Sequence, residues 1–307
     1  MTDGKPLAEA LEARLGTPVE DLHLLPGGAS QETWSCDAVA ADGRRRPLIV
    51  RRRVRPPVMP PVPEAALLRA AAAAGVPVPA VVLEEPYLVV ERVEGEGNPR
   101  RLLRDEAWAA VRPRLAAQCG EALARIHRIP LAAVAGLPEP DPVGAWREVL
   151  DASGHPHPAI ELALCWLEER RPPATGRVVA HGDFRNGNLI VGPEGLRAVI
   201  DWELAHIGDP LSDLAWLCLK AWRYGRQAPV GGFGDTEDLL AAYEEAGGVE
   251  VDRGALRWWE VQATLRWGVV CIALVQTHLS GDVPSMEHAA IGRRVCETEW
   301  DLLELIG

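Results

Sequence analysis

Three polar residues whose types and spacing suit metal and proton chemistry lie in two neighbouring segments. The first segment reads HGDFRNGN over residues 181–188, and the second reads VIDWE over residues 199–203. Asp183 precedes Asn188 by five positions, and Asn188 precedes Asp201 by thirteen. A turn between two short strands can bring Asn188 and Asp201 together, and Mg²⁺ binds one or two such ligands beside phosphate oxygens and water. Asp183 would remain free to accept a proton from an attacking hydroxyl.

These segments resemble a known family of enzymes. His-x-Asp-x₄-Asn followed by Ile-Asp-Trp-Glu, with GDPLSDLA at residues 208–215, is similar to the catalytic and metal motifs of the aminoglycoside phosphotransferase and choline kinase group, whose fold is similar to that of protein kinases. The resemblance is specific over residues 181–215 and looser over about 20–300. It is closest to the phosphotransferase-like domains associated with acyl-CoA dehydrogenases.

The resemblance implies a role for each matching residue. It makes Asp183 the catalytic base and Asn188 and Asp201 the ligands of Mg²⁺, with ATP as the phosphoryl donor. Glu203 would add a contact beside the metal or the substrate, and His181 would shape the loop. The resemblance also implies that the acidic helix start at Asp209 and Asp213 supports the catalytic loop. A carboxylate at a helix N-terminus can instead cap free amides, and we favour that capping role for both.

The N-terminal part of the chain should bind the nucleotide. Residues 20–93 predict five strands with one helix, Glu64 to Ala74, between the third and fourth strand. Gly27, Gly28 and Ser30 lie between two strands and can approach phosphates, although Gly-Gly there is more often only a turn. In the third strand Arg51 stands where the family has lysine, and Glu64 would orient it. Backbone groups near Glu91, Arg92 and Val93 should contact adenine.

The rest of the sequence is mostly helical. Helical periodicity covers residues 106–127, 158–170, 211–221, 236–246, 255–278 and 286–305. We therefore predict an α+β, protein-kinase-like two-lobed fold, in which residues 1–95 form an N-lobe with a five-stranded antiparallel sheet and residues 96–307 form a helical C-lobe. Within the C-lobe, Arg185 and Arg266 are candidates for an anionic substrate group, and Trp267, with Trp258 and Trp259, either walls the substrate pocket or packs helices.

Composition and charge restrict the partners. The net charge is −12, and residues 151–307 hold 13 basic and 24 acidic residues against 19 and 20 in residues 1–150. Nucleic-acid binding needs a basic face, so we predict no nucleic-acid partner. The six cysteines are widely spaced, and no long apolar run occurs in the sequence. From the polar N-terminal residues we expect no signal peptide. We expect a cytoplasmic protein with reduced thiols and no membrane partner, acting on a small-molecule hydroxyl substrate as a monomer or homodimer.

Three functions are compatible with the sequence. The first is a small-molecule kinase that phosphorylates a hydroxyl of a metabolite. The second is an aminoglycoside-type antibiotic kinase, which the acidic C-terminal half would suit because its substrate is cationic. The third is a catalytically silent nucleotide-binding module, which the arginine at the usual lysine position suggests, although the intact Asp183, Asn188 and Asp201 count against it.

Overall fold

A five-stranded antiparallel sheet forms the N-terminal part of the computed structural model, which describes residues 4–25, 31–53 and 62–307. The strand order is β1-β2-β3-β5-β4. The strands are β1 (Val19–Leu24), β2 (Gln31–Val39), β3 (Arg45–Arg53), β4 (Val81–Leu83) and β5 (Leu88–Glu91), with helix α1 (Lys5–Leu15) before them and α2 (Glu64–Ala73) between β3 and β4. The predicted sheet and its single inserted helix are therefore confirmed, with α1 outside the sheet.

Alternation along β3 directs side chains to two environments. Leu48 and Val50 are fully buried against Leu7 and Leu11 of α1. Residues of the opposite parity point to the other face of the sheet, because side chains alternate along a strand. Arg51 consequently faces the helical half of the protein.

The C-terminal part is built from helices around one hydrophobic core. That core also includes Leu67 and Leu68 of α2, which ties the two halves together. The helices are α3 (Pro99–Arg104), α4 (Arg112–His127), α5 (Gly144–Ser153), α6 (Pro158–Glu169), α7 (Leu211–Cys218), α8 (Thr236–Glu245), α9 (Arg253–Leu279), α10 (Met286–Gly292) and α11 (Val295–Ile306). In the described ranges every helix is too short or too polar to cross a lipid bilayer.

Several predicted helices differ from those observed. The predicted helix over residues 106–127 is a 3₁₀ turn followed by α4, and Pro113 lies in the first turn of α4, where proline is tolerated. The helix predicted over 286–305 is two helices, α10 and α11. Helices α3 and α5 were not predicted. Both are short, and periodicity is weak in segments of that length.

Two small strand pairs carry the polar segments noted in the sequence. Strands β7 (Leu189–Gly192) and β8 (Gly195–Val199) form the hairpin between Asn188 and Asp201, as predicted. Strands β6 (Val178–Ala180) and β9 (His206–Gly208) pair on either side of that region. The segment 181–188 thus leaves β6 and enters β7, so both of its ends are fixed by backbone pairing.

Candidate active site

A cleft of about 520 Å³ separates the sheet from the β7–β8 hairpin. Its walls include most of the residues that the sequence assigned to nucleotide and metal. These are Arg51, Glu64, Glu91, Arg92, Val93, Asn188, Asp201 and Glu203, together with apolar side chains such as Ile49, Leu68, Val90, Ile190 and Ile200. Gly27, Gly28 and Ser30 lie outside the described residues.

Arg51 crosses this cleft. One terminal nitrogen of its guanidinium donates to Glu64, and the other donates to Oδ1 of Asp201 at 2.7 Å and lies 3.8 Å from Oε2 of Glu203. Burial alone would lower the pKa of Arg51. The nearby carboxylates of Glu64, Asp201 and Glu203 have the larger combined effect, and the pKa of Arg51 is raised. Burial raises the pKa of Glu64, and Arg51 counteracts it. Arg51 therefore stays protonated and holds the two sides of the cleft together.

The register of the third strand is the predicted one. Arg51 and Arg52 point to opposite faces, since Arg52 donates to Glu32 at 3.0 Å and stacks over Trp34 with its guanidinium carbon 5.8 Å from the ring. Glu203 lies beside Arg51 and accepts a hydrogen bond from Gln31 at 3.1 Å. It therefore lines the cleft together with Arg51 and Asp201, the position that the predicted contact beside the metal requires.

The backbone at the end of β5 can take an adenine ring. The Glu91 amide donates to the Ala80 carbonyl and the Arg92 amide donates to the Pro47 carbonyl, both at about 3 Å. Across the described ranges, the Val93 amide has no acceptor. Of the three predicted backbone positions, Val93 is accordingly the one whose donor is available.

Asp183 and Asn188 are in direct contact. The side-chain amide of Asn188 donates to Oδ2 of Asp183 at 2.6 Å and to the Asp183 carbonyl at 3.0 Å. That orientation of the amide leaves its oxygen available to the cleft, which Asn188 lines with Asp201. The backbone amide of Ile200 donates to the Asn188 carbonyl at 2.9 Å, which fixes the distance between the two segments. Asp183, Asn188 and Asp201 therefore meet at one place.

Two further donors surround the Asp183 carboxylate. The indole N–H of Trp216 donates to Oδ1 at 2.8 Å. The Nε of Arg185 lies 3.1 Å from both oxygens. Trp216 was not among the predicted site residues, although it follows Asp213 by three positions on a predicted helix and so shares its face.

Asp213 supports the loop that carries Asp183. Its carboxylate accepts the backbone amides of His181 at 2.7 Å and Gly182 at 2.9 Å, and also Nε2 of His127 at 3.2 Å. The prediction that Asp213 caps its own helix is wrong, because all of these donors lie outside α7. Burial alone would raise the pKa of Asp213, but the hydrogen bond from His127 and the nearby histidines lower it to about 2.

Asp209 has the capping role predicted for it. One oxygen accepts the backbone amide of Leu211, the first residue of α7, at 2.9 Å. The other accepts the amide of Thr175 at 2.7 Å. Asp209 therefore caps α7, whereas Asp213, four positions later, holds the loop before Asp183.

His181 is a structural residue, as predicted. It is fully buried, and its Nδ1 accepts the backbone amide of Asp183 at 3.1 Å while Nε2 faces the Ile200 carbonyl at 3.2 Å. This pattern assigns the neutral tautomer with the proton on Nε2. Burial lowers the pKa of His181 despite three aspartates nearby.

A series of tilted and edge-to-face aromatic rings extends from Asp183 into the helical half. The guanidinium of Arg185 lies 4.7 Å from the ring centre of Trp222, and Trp222 contacts Trp216 at 5.4 Å and Trp267 at 4.7 Å. Trp222 and Trp267 both have a buried indole N–H without a partner in the described part of the chain. Trp222 lies between Trp267 and Arg185, and Trp267 lines a second pocket together with Lys220 and Arg294.

The other aromatic and basic candidates are structural. Trp258 and Trp259 are buried and contact each other, and Trp258 donates to the Leu167 carbonyl, so they pack helices. Arg266 does not reach a substrate. Its guanidinium donates to the Gly182 carbonyl at 2.6 Å and stacks 4.1 Å from the Trp216 ring, beneath the loop. The substrate role considered for Arg266 is therefore wrong.

The polar residues in the cleft fit a divalent cation held jointly with phosphates. Across the described ranges, no group of three or more His, Cys, Asp or Glu side chains has the arrangement of a complete metal site. Asn188 and Asp201 supply an amide and a carboxylate oxygen, which is the partial set that Mg²⁺ takes beside phosphate and water.

The sequence is similar to that of known proteins over most of its length. Residues 21–259 match the family model described as "Phosphotransferase enzyme family". Mouse acyl-CoA dehydrogenase family member 10 is 30% identical over 193 residues, which is 56% of this chain and 18% of that protein. The chain thus corresponds to a small part of that relative.

Solved structures share the fold over the whole chain. A candidate aminoglycoside phosphotransferase from Ralstonia eutropha JMP134 superposes with a TM-score of 0.75 at 20% identity, covering 97% of both chains. Aminoglycoside phosphotransferase APH(4)-Ia, in a ternary complex with AMP-PNP and hygromycin B, superposes with a TM-score of 0.62 at 18% identity, covering 98% of this chain and 97% of the other. The protein-kinase-like two-lobed α+β fold is therefore confirmed.

Proposed function

Because the chain belongs to the phosphotransferase enzyme family, we propose that it transfers the γ-phosphoryl group of ATP to a hydroxyl of a small molecule with Mg²⁺ bound. The observation that carries this proposal is the meeting of Asp183, Asn188 and Asp201 at the edge of the cleft. Phosphoryl transfer relies on positioning and charge stabilisation more than on covalent chemistry. A relative in fold binds AMP-PNP, which supports ATP as the donor.

In the proposed reaction Asp183 accepts the proton of the acceptor hydroxyl. The hydroxyl oxygen bonds to the γ-phosphorus, the bond from that phosphorus to the β,γ-bridging oxygen breaks, and ADP leaves. Asn188 and Asp201 would hold Mg²⁺, which supplies charge neutralisation at the phosphates when bound. Arg51, oriented by Glu64, and the Val93 amide would position the nucleotide.

Arg185 must yield to the acceptor. Each oxygen of Asp183 already accepts two hydrogen bonds, so a hydroxyl needs one of these donors to move. Trp216 and Asn188 are 3% and 5% exposed, whereas the Arg185 side chain is 24% exposed. Arg185 is therefore the donor that can swing onto a bound acceptor.

We propose a metabolite acceptor that carries a carboxylate or phosphate near the hydroxyl. Arg185 is the nearest charged side chain to Asp183 and offers a planar fork that binds such groups. A polycationic acceptor would instead place positive charge beside Arg185. The acidic residues of the C-terminal half then act mainly as solvated surface.

Assaying ATP consumption with Mg²⁺ across a panel of hydroxylated metabolites tests the proposal, with ³¹P NMR to identify the product. We expect Asp183→Asn to lower kcat about 10²- to 10⁴-fold. Asp151→Asn, on an exposed turn of α5, is the matched control and should leave kcat unchanged. Nucleotide binding without turnover on any acceptor would favour the silent module. If expression of the protein made a sensitive bacterial host resistant to an antibiotic, and Asp183→Asn abolished that resistance, an antibiotic kinase would be favoured.

The wider setting of the enzyme is also a proposal. All six cysteines are free, and four of them are buried. Buried free thiols suit a reducing compartment, so we propose that the protein is cytoplasmic. We also propose that it acts as a monomer or homodimer without nucleic-acid or membrane partners.

A further inference from the structure

Arg51 joins carboxylates that belong to opposite sides of the cleft. Glu64 begins α2 on the sheet side, whereas Asp201 and Glu203 follow β8 on the helical side. Arg51 contacts Glu64 and Asp201 through its two different terminal nitrogens. The side chains of Arg51 and Glu64 are only 15% and 13% exposed, so water screens this contact weakly.

The charges around Arg51 do not balance. One guanidinium faces Glu64, Asp201 and Glu203, which leaves two formal negative charges in excess. Arg53 lies within electrostatic range of Glu64 but is exposed. Arg51 therefore faces more carboxylates than it can neutralise alone, and a metal ion that binds Asp201 has to displace it.

The arginine makes this contact in a way that lysine cannot reproduce. A guanidinium is a rigid planar fork whose two ends can each bind a separate carboxylate. A lysine ammonium is a compact point charge that ends nearer its own strand. Lysine at position 51 would keep Glu64 as a partner and reach Asp201 less well.

We propose that Arg51 acts as a positioning residue that couples metal binding to nucleotide binding: without nucleotide its guanidinium occupies Asp201, and it releases Asp201 when phosphates offer it another partner. This inference rests on the proposed function. A cation that binds without nucleotide must compete with Arg51 for Asp201. Because such coupling is reciprocal, the metal should raise nucleotide affinity by the same factor, typically about 5- to 150-fold.

Mn²⁺ binding to the nucleotide-free protein, measured from the EPR signal of free Mn²⁺, tests the coupling. We expect Arg51→Lys to bind Mn²⁺ at least about fivefold more tightly than the wild type. Glu64→Gln should have the opposite effect, because a guanidinium without Glu64 pairs more fully with Asp201. Because the two variants should change the affinity for Mn²⁺ in opposite directions, loosening of the fold cannot explain both.

Arg52→Lys is the matched control. Arg52 is the next residue of the same strand and pairs with Glu32 on the opposite face of the sheet. It should leave Mn²⁺ affinity unchanged, and circular dichroism melting would verify that each variant is folded. A fluorescent ATP analogue, titrated in EDTA and in Mg²⁺, should show a larger affinity ratio for the wild type than for Arg51→Lys.

Separate outcomes identify which idea fails. Equal Mn²⁺ affinity in wild type and Arg51→Lys would overturn the coupling and leave the proposed function intact. Unchanged Mn²⁺ affinity in Asp201→Asn would overturn the metal assignment itself, and the proposed function with it. Loss of binding in Asp201→Asn together with a gain in Arg51→Lys is the result we expect.

Discussion

The carboxylate of Asp213 accepts a hydrogen bond from the backbone amide of His181 at 2.7 Å, although 32 positions separate the two residues. Both are buried, and the next amide, of Gly182, binds the other oxygen of the same carboxylate. Helix α7 therefore holds the segment immediately before Asp183 through its backbone. His127 of α4 adds a donor to Asp213 and in turn contacts the Tyr243 hydroxyl at 2.9 Å.

Asp213→Asn should lower both activity and stability. An amide can accept only through its oxygen, so one backbone amide of the loop would face an NH₂ group and stay unpaired. We expect a cost of about 1–3 kcal/mol in the free energy of unfolding and a fall in kcat that exceeds any change in the KM for ATP. Urea unfolding and steady-state kinetics measure the two effects.

Asp209→Asn separates loop support from helix capping. Asparagine keeps an oxygen for one of the two amides, of Leu211 or Thr175, and leaves the other unpaired, so this variant should also cost about 1–3 kcal/mol. Because neither amide belongs to the loop before Asp183, kcat should stay near that of the wild type. If both variants lost kcat to the same degree, a specific role of Asp213 in placing Asp183 would be excluded.

Local patterns predicted the strands and the polar segments because these depend on neighbours in sequence. The face of Arg51 followed from the period of two in a β-strand, and the hairpin between Asn188 and Asp201 followed from its turn residues. The capping prediction succeeded for Asp209 for the same reason, since its partner Leu211 is two positions away.

Contacts between distant elements could not be predicted in this way. Arg266 is an unremarkable arginine in a helical pattern, and only the packing of α9 beneath the loop places it on Trp216 and the Gly182 carbonyl. His127 and Asp213 are 86 positions apart, so the sequence around one residue does not predict its contact with the other. The sequence therefore predicted the groups that we propose to react, while the residues that hold them required the tertiary structure.

Gly182→Ala should damage the loop directly. Gly182 has a φ of +79°, and a Cβ there would lie 2.1 Å from the carbonyl oxygen of Leu204. Leu204 lies between Asp201 and β9, so relief of this clash displaces the loop of residues 181–188, the segment of residues 201–205 or both. We expect several kcal/mol of destabilisation and a severe loss of kcat, measured by thermal unfolding and turnover.

Gly136→Ala provides the control for backbone strain alone. Gly136 has a φ of +86° and no atom within 4 Å of the added Cβ. It should cost only about 1–2 kcal/mol, the penalty of a left-handed conformation, and leave kcat unchanged. Similar losses in both variants would show that strain, and not the contact with Leu204, governs the effect at Gly182.

Stability should fall as the pH drops below about 7, and His181 should contribute to that fall. Burial lowers the pKa of His181, so the unfolded chain binds a proton near its ordinary pKa of about 6.5 while the folded chain does not. The unfolded state then binds more protons, and the free energy of unfolding decreases by at most about 1.4 kcal/mol per pH unit for each such histidine.

His181→Asn should flatten this dependence between pH 7 and pH 5, as measured by urea unfolding at each pH. Burial also lowers the pKa of His206, so part of the slope should persist. The exposed His155, replaced by asparagine, should leave the slope unchanged. A slope in His181→Asn equal to that of the wild type would contradict the assignment of a buried neutral imidazole.

Arg185→Leu should change the choice of acceptor more than the use of ATP. If Arg185 binds an anionic group of the acceptor, its loss should lower kcat/KM for an anionic acceptor at least about tenfold, equivalent to about 1.4 kcal/mol. The neutral ester or amide of that acceptor should be affected much less, and so should the KM for ATP. Arg170→Leu is the matched control. Arg170 is exposed, directly follows α6 and places its guanidinium carbon 5.3 Å from the centre of the Trp166 ring, a contact similar to that of Arg185 with Trp222. An equal loss on charged and neutral acceptors would instead mean that Arg185 serves only to orient Asp183, through its contact at 3.1 Å.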